Sequence, residues 1–91
     1  MDPRLSEILD FLNERKMRAH YGAVAGVLDV TPRSLGTMLG EQSQRASWIV
    51  AKDDNMPTDY EAENHHPELQ RTSLVIQSPD ALNRGMQAWR K

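Results

Sequence analysis

The chain has 91 residues, 38% of them apolar and 26% charged, with a formal net charge of -2 and no cysteine. At this length roughly 60–65% of the unfolded surface becomes buried, enough for one modest core, so a single domain over residues 1–91 is expected. The lack of cysteine excludes disulfides, thiolate catalysis and thiolate-bound zinc.

No apolar run approaches the ~20 residues of a membrane span, and Met1-Asp2-Pro3-Arg4 does not open a secretory signal, so a cytoplasmic protein without membrane contact is expected. Leu5, Ile8, Leu9 and Leu12 recur at i, i+3, i+4 and i+7, which predicts an amphipathic helix from Pro3 to about Lys16. Asp2 followed by Pro3 fits its start. Met17 to His20 reads as a connection. A second helix is expected from Tyr21 or Gly22, with Val24, Val27 and Leu28 on one face, ending by Asp29. Thr31 as N-cap and Pro32 at the first helical position then open a third helix to Leu39, with Leu35, Met38 and Leu39 inward and Gly40 as its stop.

Two short helices around a three-residue break are the mark of a helix-turn-helix. Beyond them the pattern turns β-prone. Trp48-Ile49-Val50 and Leu74-Val75-Ile76 read as strands, Asp53-Asp54-Asn55 as a turn, Met56 to His65 as an irregular loop and His66 to Arg71 as a short helix. Ser78-Pro79-Asp80 repeats the cap-plus-proline start, with Leu82, Met86 and Trp89 at i, i+4 and i+7 for a last helix. The expected fold is mainly α: a winged-helix-like, three-helix helix-turn-helix with a small two-stranded wing and a C-terminal helix.

Charge is unevenly placed. Residues 15–45 carry Arg15, Lys16, Arg18, Arg33 and Arg45 against Asp29 and Glu41, whereas residues 53–68 carry Asp53, Asp54, Asp59, Glu61, Glu63 and Glu68 with no Lys or Arg. One face suited to an anion and another that repels it is one account; two solvated surfaces is the other. Constellations for catalysis are poor. His65 and His66 beside the acidic residues show no recognised metal-ligand spacing, Pro57 breaks the calcium-loop pattern after Asp53, no serine stands in a nucleophile elbow, and no glycine-rich phosphate loop exists. Neither an enzyme, a metal nor a cofactor is expected.

Nucleic-acid binding has more support. On the third helix, Arg33, Gly36, Thr37 and Gly40 fall on the side away from the apolar stripe, giving a smooth face with one long cationic arm. Glycine costs a helix about 1 kcal/mol against alanine, so two on one face need a cause. Close approach to another backbone is one; internal packing at Gly36 and helix termination at Gly40 is the other. Arg33 and Ser34 stand at the helix's leading end, where free N–H groups favour phosphate, and Arg15, Lys16 and Arg18 precede the second helix.

The stretch Tyr21-Gly22-Ala23-Val24-Ala25-Gly26-Val27-Leu28, followed by Arg33-Ser34-Leu35-Gly36, resembles the DNA-binding domain of alkylguanine-DNA alkyltransferases and their alkyltransferase-like relatives. That family has a Tyr-Gly-type helix start, an Ala/Leu-rich face and an Arg-x-Val-Gly recognition helix, and the order of elements is similar over roughly residues 5 to 76. The resemblance implies that Tyr21 crowds a phosphate to help rotate a nucleotide outward and that Arg33 enters the base stack in its place. It also implies that the small face of Gly36 and Gly40 lets the helix lie in the minor groove of double-stranded DNA, plain or alkylated.

The departures are informative. Against the family's reactive Pro-Cys-His-Arg-Val segment stands Arg45-Ala46-Ser47-Trp48-Ile49-Val50, with Ala46 at the cysteine position, so alkyl transfer to a thiolate is excluded. Trp48 either lines a base pocket by stacking or belongs to the core. The DNA-binding set expected is therefore Tyr21, Arg33, Ser34, Gly36, Thr37, Gly40, Arg18 and Trp48. The competing expectations are a protein-interaction module on the same helices and a transcriptional regulator reading the major groove; the second is disfavoured by a face without base-reading Asn, Gln or further Arg.

Overall fold

The computed structural model describes residues 2–40, 44–52, 55–57, 62–72 and 74–90. These form helix α1 (Pro3–Arg15), strand β1 (Arg18–His20), helices α2 (Tyr21–Leu28) and α3 (Pro32–Leu39), strands β2 (Ile49–Val50) and β3 (Val75–Ile76), and helix α4 (Pro79–Arg90). Single 3-10 turns lie at Ala46–Trp48, Ala62–Asn64 and Leu69–Arg71. The fold is mainly helical with a small three-stranded parallel sheet. No helix among the described residues is long and apolar enough to cross a membrane.

Local chemistry sets the helix limits. The Asp2 carboxylate accepts the Arg4 N–H at 2.7 Å, a cap that stabilises the charged form and holds its pKa below the usual carboxylate value. α1 then buries Leu5, Ile8, Leu9, Phe11 and Leu12 and closes at Lys16, which takes a left-handed conformation (φ 57°) while Met17 N–H donates to the Leu12 carbonyl at 3.1 Å. α2 ends the same way: Asp29 is left-handed (φ 58°) and Val30 N–H reaches the Ala25 carbonyl at 3.0 Å. The chain is extended at Thr31, whose Oγ1 accepts the Ser34 N–H at 3.1 Å, and Pro32 opens α3. The two-helix unit with a three-residue break is present at the expected positions.

The strand pairing differs from expectation, which was a two-stranded wing. β2 and β3 occupy the expected places but do not pair with each other. Both pair with β1, which lies between them, all three strands being parallel, with Ala19 opposite Ile49 and Arg18 opposite Val75. The stretch expected to be a connection is thus the central strand. Its cause lies in the alternation of side chains: Ala19 is fully buried, while Arg18 and His20 project together from the opposite face. There Arg18 donates to the Asn55 carbonyl at 2.7 Å, and His20 Nε2 lies 2.8 Å from Asn55 Oδ1, so one strand grips the turn that follows β2.

The core joins the α1 stripe to Ala23, Val24, Ala25 and Leu28 of α2, Leu35 and Leu39 of α3, Trp48, Ile49, Leu69, Ile76, and Leu82 and Met86 of α4. Val27 is only half-buried. α2 and α4 approach so closely that a Cβ on Gly26 would overlap Pro79 Cγ. α4 meets α1 through Trp89, whose ring lies 5.6 Å from that of Phe11 and whose Nε1 donates to Glu14 at 3.0 Å.

Candidate nucleic-acid interface

α3 turns Leu35 and Leu39 into the core and leaves Pro32, Arg33, Ser34, Gly36 and Thr37 exposed, with Met38 half-buried. Two of the glycines under question now separate. Gly40 has φ +67° and ψ -134°, a conformation in which a side chain is strained, so helix termination accounts for it. Gly36 has neither reason: its backbone is helical, and a Cβ built there meets nothing within 4 Å. Internal packing therefore does not explain Gly36. The Thr37 hydroxyl folds back on the helix, donating to the Arg33 carbonyl at 3.5 Å.

Arg33 is exposed, one turn before Gly36, and its guanidinium makes no ion pair or hydrogen bond among the described residues. The backbone around it is largely satisfied. Pro32 has no N–H, Ser34 N–H is taken by Thr31 Oγ1, and Leu35 N–H donates to the Thr31 carbonyl at 3.0 Å. The Thr31 hydroxyl also donates to Ser34 Oγ at 3.0 Å. What this end offers an anion is the Arg33 guanidinium, its own N–H and the Ser34 hydroxyl, rather than a full set of orphan donors.

The uncapped end belongs to α2. His20 is its N-cap residue but places no side-chain bond on the first turn. Tyr21, half-buried against the core, lines with His20, Gly22, Lys52 and Gln77 a recess of about 310 Å³ at the carboxyl ends of the three strands. Lys52, exposed and without an ion pair among the described residues, is a cation that the sequence reading did not single out. Its closeness to Tyr21 depends on β1 and β2 being parallel neighbours.

Two expected contacts lie elsewhere. Arg18 is half-buried with its head turned into the fold: besides the Asn55 carbonyl it donates to the Leu69 carbonyl at 2.5 Å and approaches Met56 Sδ at 3.7 Å. A side chain that ties three segments together is not available to phosphate. Trp48 is 0% exposed; its Nε1 donates to Asn13 Oδ1 at 3.1 Å and its ring lies 4.7 Å from that of His66. It is a core residue with no open face for a base, the second of the two roles left open for it. Arg45, at the counterpart of the reactive segment, pairs with Asp10 and donates to the Ser6 carbonyl at 2.7 Å, fixing this segment to α1.

Ser47 and His66 complete that segment. Ser47 Oγ, fully buried, donates to the Gln44 carbonyl at 2.5 Å and accepts His66 N–H at 2.9 Å, and His66 Nδ1 accepts Glu68 N–H at 3.0 Å. An Nδ1 that accepts requires the neutral ring. Burial, with Lys16 nearby, lowers the His66 pKa, against the opposite pull of Glu68. Of the acidic stretch, Asp53, Asp54, Asp59 and Glu61 lie outside the described residues, as does Glu41; Glu63 is exposed and Glu68 pairs with Arg71 at 3.3 Å. Comparison with protein-family models, with curated proteins and with solved structures finds no match for this chain.

Proposed function

We propose that this chain is a non-enzymatic, duplex-DNA-binding domain of winged-helix-like organisation, related in mode of action to the alkyltransferase-like proteins it resembles. α3 lies against the duplex with Gly36 at the closest approach. Arg33 reaches into the base stack, where it fills the space of an alkylated or flipped base. Tyr21, Lys52 and the uncapped first turn of α2 face the backbone phosphates. Arg18 and Trp48 take no part. The observation that carries this reading is the pairing of an unexplained, unobstructed Gly36 with an exposed Arg33, without an ion pair among the described residues, one turn earlier on the same face.

Physically, unstacking a base costs a few kcal/mol, and an inserted side chain together with salt-sensitive phosphate contacts offsets it. The test is duplex binding measured by fluorescence anisotropy across salt, with plain and O6-alkylguanine duplexes. Affinity is expected to fall steeply from 50 to 200 mM salt, Arg33→Ala to weaken binding and narrow the difference between the two duplexes, and Lys52→Gln to reduce the salt slope by about one. Binding that ignores salt and survives Arg33→Ala would overturn the proposal and favour a protein-interaction surface on the same helices.

A further inference from the structure

A groove of about 660 Å³ lies between the end of α1, the face of α4 and strand β3. It shares Gln77 with the recess beside Tyr21 but none of the residues proposed to contact DNA. Phe11 and Met17 line it on the α1 side and Ala81, Gly85 and Ala88 on the α4 side, so both sides are apolar, while Gln77 and Ser78 add neutral polar groups beyond β3. β3 runs along it. In the strand order β2-β1-β3 this strand has one neighbouring strand among the described residues, and its other side is an open edge of that sheet.

The register tells which groups that edge presents. Arg18 N–H donates to the Leu74 carbonyl at 2.9 Å, and Arg18 stands opposite Val75. In a parallel pair this pattern directs the N–H and C=O of the residue opposite, here Val75, away from the partner strand. Val75 therefore offers one donor and one acceptor to the groove side. Leu74, next to it, is 57% exposed and is the large apolar side chain most open to solvent among the described residues. Arg15, which also lines the groove, is exposed and makes no ion pair among the described residues, whereas its neighbour Glu14 is engaged by Trp89.

We infer that this groove accepts an extended apolar peptide segment bearing a carboxylate, added as a fourth strand on the open edge of β3. Main-chain bonds form at Val75, alternate apolar side chains of the peptide enter the groove and cover Leu74, and the carboxylate meets Arg15. This is strand addition, in which backbone pairing supplies affinity and pockets for alternate side chains supply specificity. Arg15 is the one charged side chain in a lining whose other polar members, Gln77 and Ser78, are neutral, and it selects the acidic partner over a basic one.

The test uses the full chain, labelled with ¹⁵N, and a synthetic pentapeptide alternating valine with threonine and ending in glutamate. Two controls accompany it: the same peptide ending in lysine, and a fully N-methylated peptide that has no N–H to pair. The Val75 amide signal is expected to shift on titration, the glutamate peptide to bind about three- to fivefold more tightly than the lysine one, and that preference to vanish in Arg15→Gln, an exposed substitution that spares the core. The N-methylated peptide is expected to leave Val75 unmoved. Equal binding of all three peptides, no shift at Val75, or a concentration-dependent dimer that protects the Val75 amide without peptide would each overturn the inference. None of these outcomes bears on duplex binding.

Discussion

Replacing Gly36 by alanine opposes folding stability to function in a single side chain. Gly36 sits inside α3, capped at one end by Thr31 and stopped at the other by Gly40, and a methyl group there meets no atom within 4 Å. No packing term opposes the change, so intrinsic helix preference decides it, and alanine is favoured over glycine by about 0.8–1.0 kcal/mol. For a domain of this size that corresponds to a rise in Tm of about 4–8 °C. If the face is where a duplex backbone lies, the same methyl stands between the helix and the sugar-phosphate chain. An overfilled contact costs about 1–3 kcal/mol, and 1.4 kcal/mol is tenfold in affinity. Gly36→Ala is thus expected to be more stable in a thermal melt followed by circular dichroism and roughly tenfold weaker in duplex anisotropy. Gly26→Ala serves as the contrast, since Pro79 leaves its methyl no room and Tm falls. A Gly36→Ala protein that melts higher and binds DNA unchanged would refute the assignment of this face; one that melts lower would refute the open geometry itself.

Two further expectations concern the segment around Trp48. Because the His66 pKa is lowered in the folded protein, the unfolded chain binds the extra proton first as pH falls, so the contribution of His66 is complete above about pH 6.5 and declines below it. Tm between pH 7.5 and 5.5 is expected to fall more steeply in the parent than in His66→Asn, whose amide oxygen can still accept Glu68 N–H but does not titrate; parallel slopes would show that other groups govern the acid limb. Asn13→Leu removes the acceptor for the buried Trp48 indole, and an unsatisfied buried donor costs about 1–3 kcal/mol. A chemical-denaturation midpoint left unmoved would mean that the indole finds another partner.

The helical part of the fold was legible because it is encoded locally. Asp2-Pro3, Thr31-Pro32 and Ser78-Pro79 mark starts by cap and ring chemistry, and the Leu5-to-Leu12 stripe marks a buried face, so α1, α3 and α4 begin where those signals stand. β1 was not legible. Three residues cannot show a period, and Arg18 and His20 are poor advertisements for a central strand; only the later return of Ile49 and Ile76 beside Ala19 makes it one. The same non-local event misdirected the reading of Arg18. A cation beside a helix start looks like a phosphate contact until the carbonyls of Asn55 and Leu69, far along the chain, are found bonded to it. Arg33 and Gly36 were legible as an exposed pair because their neighbours on the helix fix which side is inward. Lys52 was missed because its closeness to Tyr21 is a property of the sheet alone.

The sheet's register also has a bearing on how the molecule comes into being. Ala19 pairs with Ile49 and Arg18 with Val75, so both ladders join residues that are distant in the chain and neither can be seeded by a tight hairpin. Closing such loops spends chain entropy before two-residue strands return much for it. The helices, whose contacts are local, are therefore expected to form ahead of the ribbon at the centre, an order that hydrogen exchange during refolding would check.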